Sequence, residues 1–300
     1  MYVCGSNEGG RHPGRAAGPA GPRAPPHGLG QNDRMIDAHL HVVDPRFPLV
    51  PNQGYLPPTF TVGDYRRRVR GLGVAGGAVV SGSFQGHAQE WLRSALAELG
   101  PGFVGVTQLP PAVPDEQVRE LHGAGVRAVR FTLRRGADAD PAGIERLARR
   151  VHDLAGWHAE FYADAAALEH LAPVMRRLPR AGVDHLGMSA AGLPRLLELV
   201  ERGVKVKATG FGRVDLDVPD ALRRIHAVDP TALLFGTDLP STRAERPFRD
   251  ADVALVAETL GAGAAAAVLH DNAAAWYGLP RAAAESGYSG HTCRSGPSRT

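Results

Sequence analysis

Cysteine is nearly missing from this 300-residue chain, with Cys4 and Cys293 alone in opposite tails. That excludes a disulfide framework and a thiolate metal site. Lysine is equally rare, Lys205 and Lys207 being the full complement, so the formal charge of +3 rests on arginine. Aromatics make up only 6% and no basic stripe interleaves with them, which excludes the usual nucleic-acid footprint. No apolar run reaches eighteen residues, so no membrane-crossing helix is expected. The first thirty-four residues have no apolar segment of the kind a secretory signal needs, and a cytoplasmic location is expected. A glycine-rich nucleotide turn after the first strand and a Walker-type lysine are both lacking, which argues against dinucleotide and P-loop chemistry.

What remains is a chain with 43% hydrophobic residues, ample for a large core. Residues 1–34, rich in Gly, Pro, Arg and Ala, and residues 281–300, rich in Ser, Gly and Arg, read as disordered tails. Met35 reads as a candidate start. Between the tails, β-rich runs at 35–42, 76–82, 102–107, 125–133, 157–162, 183–187, 203–209 and 232–238 alternate with amphipathic segments. Those segments fall at about 62–72, 87–99, 114–123, 141–155, 164–177, 192–202, 218–228 and 247–260, with a further helix at 263–277. Eight βα units in one domain, 35–280, predict an α/β (β/α)8 TIM barrel, whose catalytic groups sit at the C-terminal ends of the strands.

The run Asp37-Ala38-His39-Leu40-His41 stands out on the first strand. Alternate residues share a face and rise about 3.3 Å each, so the two imidazoles stand about 6–7 Å apart and can converge on one ion or one substrate oxygen. Asp37 is expected on that polar face, with Ile36, Ala38, Leu40 and Val42 on the apolar one. Among thirteen histidines some close pairs arise by chance, so the pair gains weight only from what joins it. Strand 6 offers Asp184-His185-Leu186-Gly187, where a satisfied core histidine is the bland alternative. Strand 8 offers Gly236-Thr237-Asp238-Leu239-Pro240, where helix capping is the alternative.

Taken together and in this order, these three motifs resemble the amidohydrolase superfamily. Within it the resemblance is to the branch of 2-pyrone-4,6-dicarboxylate lactonases and related sugar lactonases. The resemblance implies a hydrolase that opens a lactone, with Asp238 as the base activating water and His39, His41 and His185 polarising the carbonyl. Superfamily members with two metals use a strand-4 lysine and a strand-5 histidine, and this chain has Arg130 and Tyr162 near those places. A binuclear centre is therefore not expected. Either no metal or one Zn or Mn held by His39, His41 and Asp238 is.

Arg130 and Arg134 are candidates for binding an anionic small-molecule substrate, because guanidinium forks grip carboxylates. An ion pair of Arg130 with Glu160 or Asp37 is the alternative. Ser83, His87, Tyr55 and Tyr162 are further candidate contacts, and His158 reads as a buried structural histidine. Relatives often form homodimers, and neither a nucleic acid nor a membrane is expected as partner. Two other readings stay open: a mononuclear metal-dependent decarboxylase of the same superfamily, and a degenerate barrel that only binds a small molecule.

Overall fold

β-branched and small residues dominate the buried strands, and they assemble into a single parallel sheet. In the computed structural model, which describes residues 34–136 and 140–279, the strands follow chain order. They are β1 Met35–Leu40, β2 Val74–Val80, β3 Phe103–Thr107, β4 Val126–Phe131, β5 His158–Phe161, β6 Ala181–Val183, β7 Lys205–Ala208 and β8 Leu233–Phe235. The seam between β1 and β8 is joined just past the end of β8. There the Asp238 amide donates to the His39 carbonyl at 2.7 Å, and the His41 amide donates to the Leu239 carbonyl at 2.8 Å. Gly236 sits at this seam, where a Cβ would come within 2.6 Å of the His39 nitrogen and 2.8 Å of Thr209 Cγ2. The expected (β/α)8 barrel is the observed fold; the expected tails lie, Arg34 apart, outside the described residues.

The surrounding helices begin and end where local chemistry dictates. Helix α1 (Val62–Arg68) starts at a Thr61/Asp64 capping box, which satisfies two otherwise unpaired amides. α2 (Glu90–Leu99) and α3 (Asp115–Gly123) follow β2 and β3. α4 (Pro141–Ala155) is capped by Asp140 and stops at Gly156, whose φ of 68° suits glycine. The helix expected over 164–177 is instead a 3-10 turn, Ala165–Leu168, and a short α5, Ala172–Met175. Pro173 cannot sit inside a continuous helix, because its ring would press on the carbonyl four residues back. α6 (Leu193–Val200), α7 (Val218–Val228) and α8 (Ala251–Leu260) complete the ring. The last expected helix is divided into α9 (Ala262–Ala266), a π-helical segment Ala267–Asp271 and α10 (Asn272–Tyr277).

Two apolar layers result. The larger one lies between sheet and helices and includes Leu40, Val42, Val79, Leu92, Leu121 and Val206. The smaller one fills the barrel with Ile36, Ala38, Ala78, Val80, Val104, Val106 and Leu234, and Ala273, Ala274 and Tyr277 of α10 pack onto it. β1 therefore changes face along its length, and the pairing register with β2 shifts between Asp37 and Leu40. A bulge of this kind moves side chains across the sheet. Asp37 consequently does not share a face with the histidines, as strict alternation would have it. Its carboxylate reaches Tyr65 of α1 at 2.9 Å.

Candidate active site

Three histidines and one aspartate meet above the inner apolar layer. His39 and His41 come from β1 and its continuation, and their ring centroids lie 4.9 Å apart. His185 follows β6, where residues 183–187 were expected to run on as strand. The chain instead turns, with positive φ at His185 (52°), Leu186 (51°) and Met188 (73°), and the turn carries the imidazole to 4.9 Å from His39. Asp238 likewise lies past its strand, at φ 57°. Such left-handed non-glycine positions persist only where surrounding contacts hold them, and they cluster at functional sites.

All four side chains are buried. Asp238 Oδ1 stands 3.8 Å from His39 Nε2 and 3.6 Å from His41 Nε2, and neither Oδ1 nor His39 Nε2 has a hydrogen-bond partner. Burial opposes the charge of Asp238. The guanidinium of Arg213, 2.5 Å from Oδ2, and the neighbouring imidazoles nevertheless hold its carboxyl far below the usual range. Burial pushes His185 down to about 3 and His39 well below its ordinary value, so both are neutral near pH 7. His41 is oriented by Nδ1, 2.7 Å from the Val80 carbonyl, and His185 by Nδ1, 2.7 Å from Thr209 Oγ1. His39, His185 and Asp238 offer ligand atoms within 4.8 Å of one another, spaced to hold one metal ion. His185 thus stands in that group where the sequence placed His41.

A cleft of about 380 Å3, counted to its open mouth, rises from this cluster. Arg130, Ser83, Tyr55 and Tyr162 line it, together with His41 and His185. Arg130 is also committed below. Its Nε and Nη2 donate to Asp184 Oδ2 at 3.0 and 2.7 Å, and Nη1 donates to the Ser81 carbonyl at 2.7 Å. Its buried partner is therefore Asp184, and neither Glu160 nor Asp37. Arg134 and His87 are exposed and do not line the cleft. Leu133–Arg135 is a 3-10 turn, in which adjacent side chains point in different directions, and Arg135 is the one aimed inward.

Sequence reasoning missed Arg213, Arg243, Thr242 and Lys207. The first three line the cleft from loops after β7 and β8 that carry no periodic signal. Arg213 follows Gly210 and Gly212, and a Cβ at Gly210 would lie 2.8 Å from His185 Nδ1. Glycines that let a loop approach a strand-end histidine were the available hint. Lys207 is buried inside the barrel, with Nζ 2.5 Å from Glu160 Oε2. Below it His158 Nε2 lies 3.0 Å from Glu160 Oε1 and 3.0 Å from Trp276 Nε1, away from the cleft.

The fold and the site define a (β/α)8 barrel with an Asp and three histidines gathered at the C-terminal ends of its strands. The chain belongs to the amidohydrolase family, whose sequence profile matches residues 36–279. Among characterised proteins, a 2-pyrone-4,6-dicarboxylate hydrolase of Comamonas testosteroni is 32% identical over 157 residues, 51% of each chain. The match thus spans about half the length of that relative. A 4-sulfomuconolactone hydrolase of Hydrogenophaga intermedia is 24% identical over 224 residues, 68% of this chain and 74% of that one. Among solved structures, a ligand-free Agrobacterium tumefaciens protein superposes with a TM-score of 0.75 at 22% identity, covering 86% of this chain and all of that one. A provisionally named 2-pyrone-4,6-dicarboxylic acid hydrolase of Pseudomonas putida gives 0.68 at 26%, covering 82% and 98%.

Proposed function

We propose that this protein hydrolyses a lactone bearing at least one anionic substituent. The observation that carries the reading is the combination of a buried Asp238, its free oxygen faced by imidazoles, with a cleft lined by His41, His185 and arginines. Among the described residues, Arg135 and Arg243 have no carboxylate within 4 Å, although both line the cleft. Arg135 reaches Tyr162 Oη at 3.3 Å, and Arg243 donates to the Asn52 carbonyl. Guanidinium groups held by neutral partners keep their charge for a ligand, and carboxylate or sulfonate groups match their geometry.

In this reading a water molecule attacks the lactone carbonyl carbon while Asp238 takes its proton. The ring C–O bond then breaks, and the departing alkoxide recovers a proton, leaving a carboxylate and a hydroxyl. Neutral imidazoles can donate to the oxyanion that develops on the way. Arg213 holds Asp238 ionised but also weakens it as a base. An anionic substituent drawing Arg213 towards itself would restore basicity when substrate is present. The names of the lactone-hydrolysing relatives agree with this reading.

The spacing of His39, His185 and Asp238 also favours a second reading, in which one divalent ion sits there. Those three residues would hold it, and it would polarise the substrate carbonyl as a Lewis acid. A panel of neutral, monoanionic and dianionic lactones, assayed with and without chelator, tests both. Ring opening confined to anionic lactones and unchanged by chelation supports the first reading. Activity abolished by chelation and restored by zinc or manganese supports the second.

A further inference from the structure

Lys207 does not line the cleft, yet it touches the histidine that does the most in the cluster. Its ammonium lies 2.5 Å from Glu160 Oε2, 3.8 Å from Asp184 Oδ1 and 3.4 Å from His39 Nδ1. An ammonium has three protons to donate and accepts nothing. Facing it, His39 Nδ1 can only be the acceptor, so the single proton of the neutral ring belongs on Nε2. The competing arrangement is also present, because Asp184 Oδ1 lies 3.5 Å from the same Nδ1 and could accept a proton from it.

Donor counting decides between them. Lys207 is buried, and among the described residues its hydrogen-bond acceptors are Glu160 and His39 Nδ1, with Asp184 Oδ1 at 3.8 Å. A proton on Nδ1 would remove the second acceptor and set donor against donor, leaving a buried N–H unpaired. Asp184 bears a cost: its Oδ2 accepts two bonds from Arg130, but its buried Oδ1 is left with no hydrogen-bond partner and only the Lys207 charge 3.8 Å away. Against that cost, a proton on Nε2 faces the unpaired Asp238 Oδ1 at 3.8 Å, where a bare Nε2 would set lone pair against carboxylate.

We propose that Lys207 is a positioning residue that fixes the tautomer of His39, holding its proton on Nε2, where it faces Asp238 Oδ1. A proton there makes His39 a donor towards Asp238 and denies its lone pair to a metal. Metal ligation through Nε2 would need the opposite tautomer, with Nδ1–H given to a carboxylate, and Asp184 is placed to receive it. Lys207 thus separates the two readings of one cluster. The proton placement rests on this geometry together with the neutral state of the buried His39 ring, whereas its consequence for turnover rests on the lactone-hydrolase reading.

The test is ring-nitrogen NMR of the full chain with 15N-labelled histidine, the His39 signals being identified by their loss in His39→Asn. The wild type should show a protonated Nε2 and a bare Nδ1. Because Lys207→Met strands the Glu160 charge, it is examined beside the neutral double variant Glu160→Gln/Lys207→Met, with folding checked by circular dichroism. In whichever variant folds, the His39 proton should move to Nδ1, and zinc affinity by equilibrium dialysis should rise by roughly tenfold or more. Lys207→Arg, which keeps a donor, should retain the wild-type pattern. A wild-type His39 protonated on Nδ1 overturns the proposal whatever the variants do. So does a folded Lys207 variant with unchanged tautomer and zinc affinity. Neither result depends on the protein having lactonase activity.

Discussion

Asp37 takes hydrogen bonds from donors of two kinds, and the difference has a measurable consequence. Oδ1 accepts from the Thr237 and His39 amides at 2.8 and 3.2 Å, while Oδ2 accepts from the hydroxyls of Tyr65 and Thr237 at 2.9 and 2.7 Å. Burial outweighs these bonds and pushes the carboxyl up to about 6. Unfolded, it titrates near 4, so between those values the folded chain binds more protons than the unfolded one. Stability from this group is therefore greatest below pH 4, falls as pH rises through 6, and levels off above. The gap corresponds to about 3 kcal/mol. Asp37→Asn should fold, because its amide nitrogen can replace Oδ2 and both hydroxyls there can turn to accept. Urea unfolding from pH 4 to 7 should show the wild type losing about 3 kcal/mol relative to the variant. Parallel pH profiles would show that Asp37 titrates normally.

At the scale of elements, the seam between β1 and β8 does the most for the site. It brings Asp238 beside His39 through backbone bonds, and it tolerates no side chain at Gly236. Gly236→Ala should cost about 1–3 kcal/mol by overpacking, read as a lower unfolding midpoint. It should also reduce turnover, since relief requires moving the His39 backbone. A variant as stable and as active as the wild type would mean that the seam is looser than described. The eight strands were legible because β-rich runs alternate with amphipathic segments eight times, and several helix bounds, such as Pro141–Ala155, match closely. The face of Asp37 was not legible, because a one-residue register shift leaves no mark in composition. The turn that carries His185 was hidden for a related reason. Of its left-handed residues only Gly187 is a glycine; His185, Leu186 and Met188 adopt the same region without any composition cue.

Over the whole molecule, charge is spent unevenly. Many of the described arginines outside the barrel pair with surface carboxylates, as Arg149 and Arg177 do with Glu145, and contribute little. The cleft differs in keeping Arg135 and Arg243 beside neutral partners. Replacing both with Gln should raise KM for an anionic lactone by roughly tenfold or more, since bonds to charged groups contribute about 1.5–3 kcal/mol each. kcat should stay near the wild-type value, because these contacts serve ground state and transition state alike. Steady-state kinetics on one dianionic lactone decides this, and an unchanged KM would remove the cations from substrate binding. The candidate centre was legible because His39, His41, His185 and Asp238 sit in compact motifs at strand ends. The arginines of the long loops were not, since a loop shows which residues it contains and not which of them turn inward. Lys207 passed unseen because its partner Glu160 is 47 residues away and two strands across the barrel.

The central claim is that Asp238 removes the proton from the attacking water. The most direct measurement is the rate of lactone ring opening by the wild type and by Asp238→Asn, compared on the anionic lactone the wild type opens fastest. A loss of roughly 10²–10⁴-fold in kcat, with circular dichroism and substrate binding retained, is the predicted result. A folded Asp238→Asn variant that opens the same lactone at the wild-type rate would contradict it.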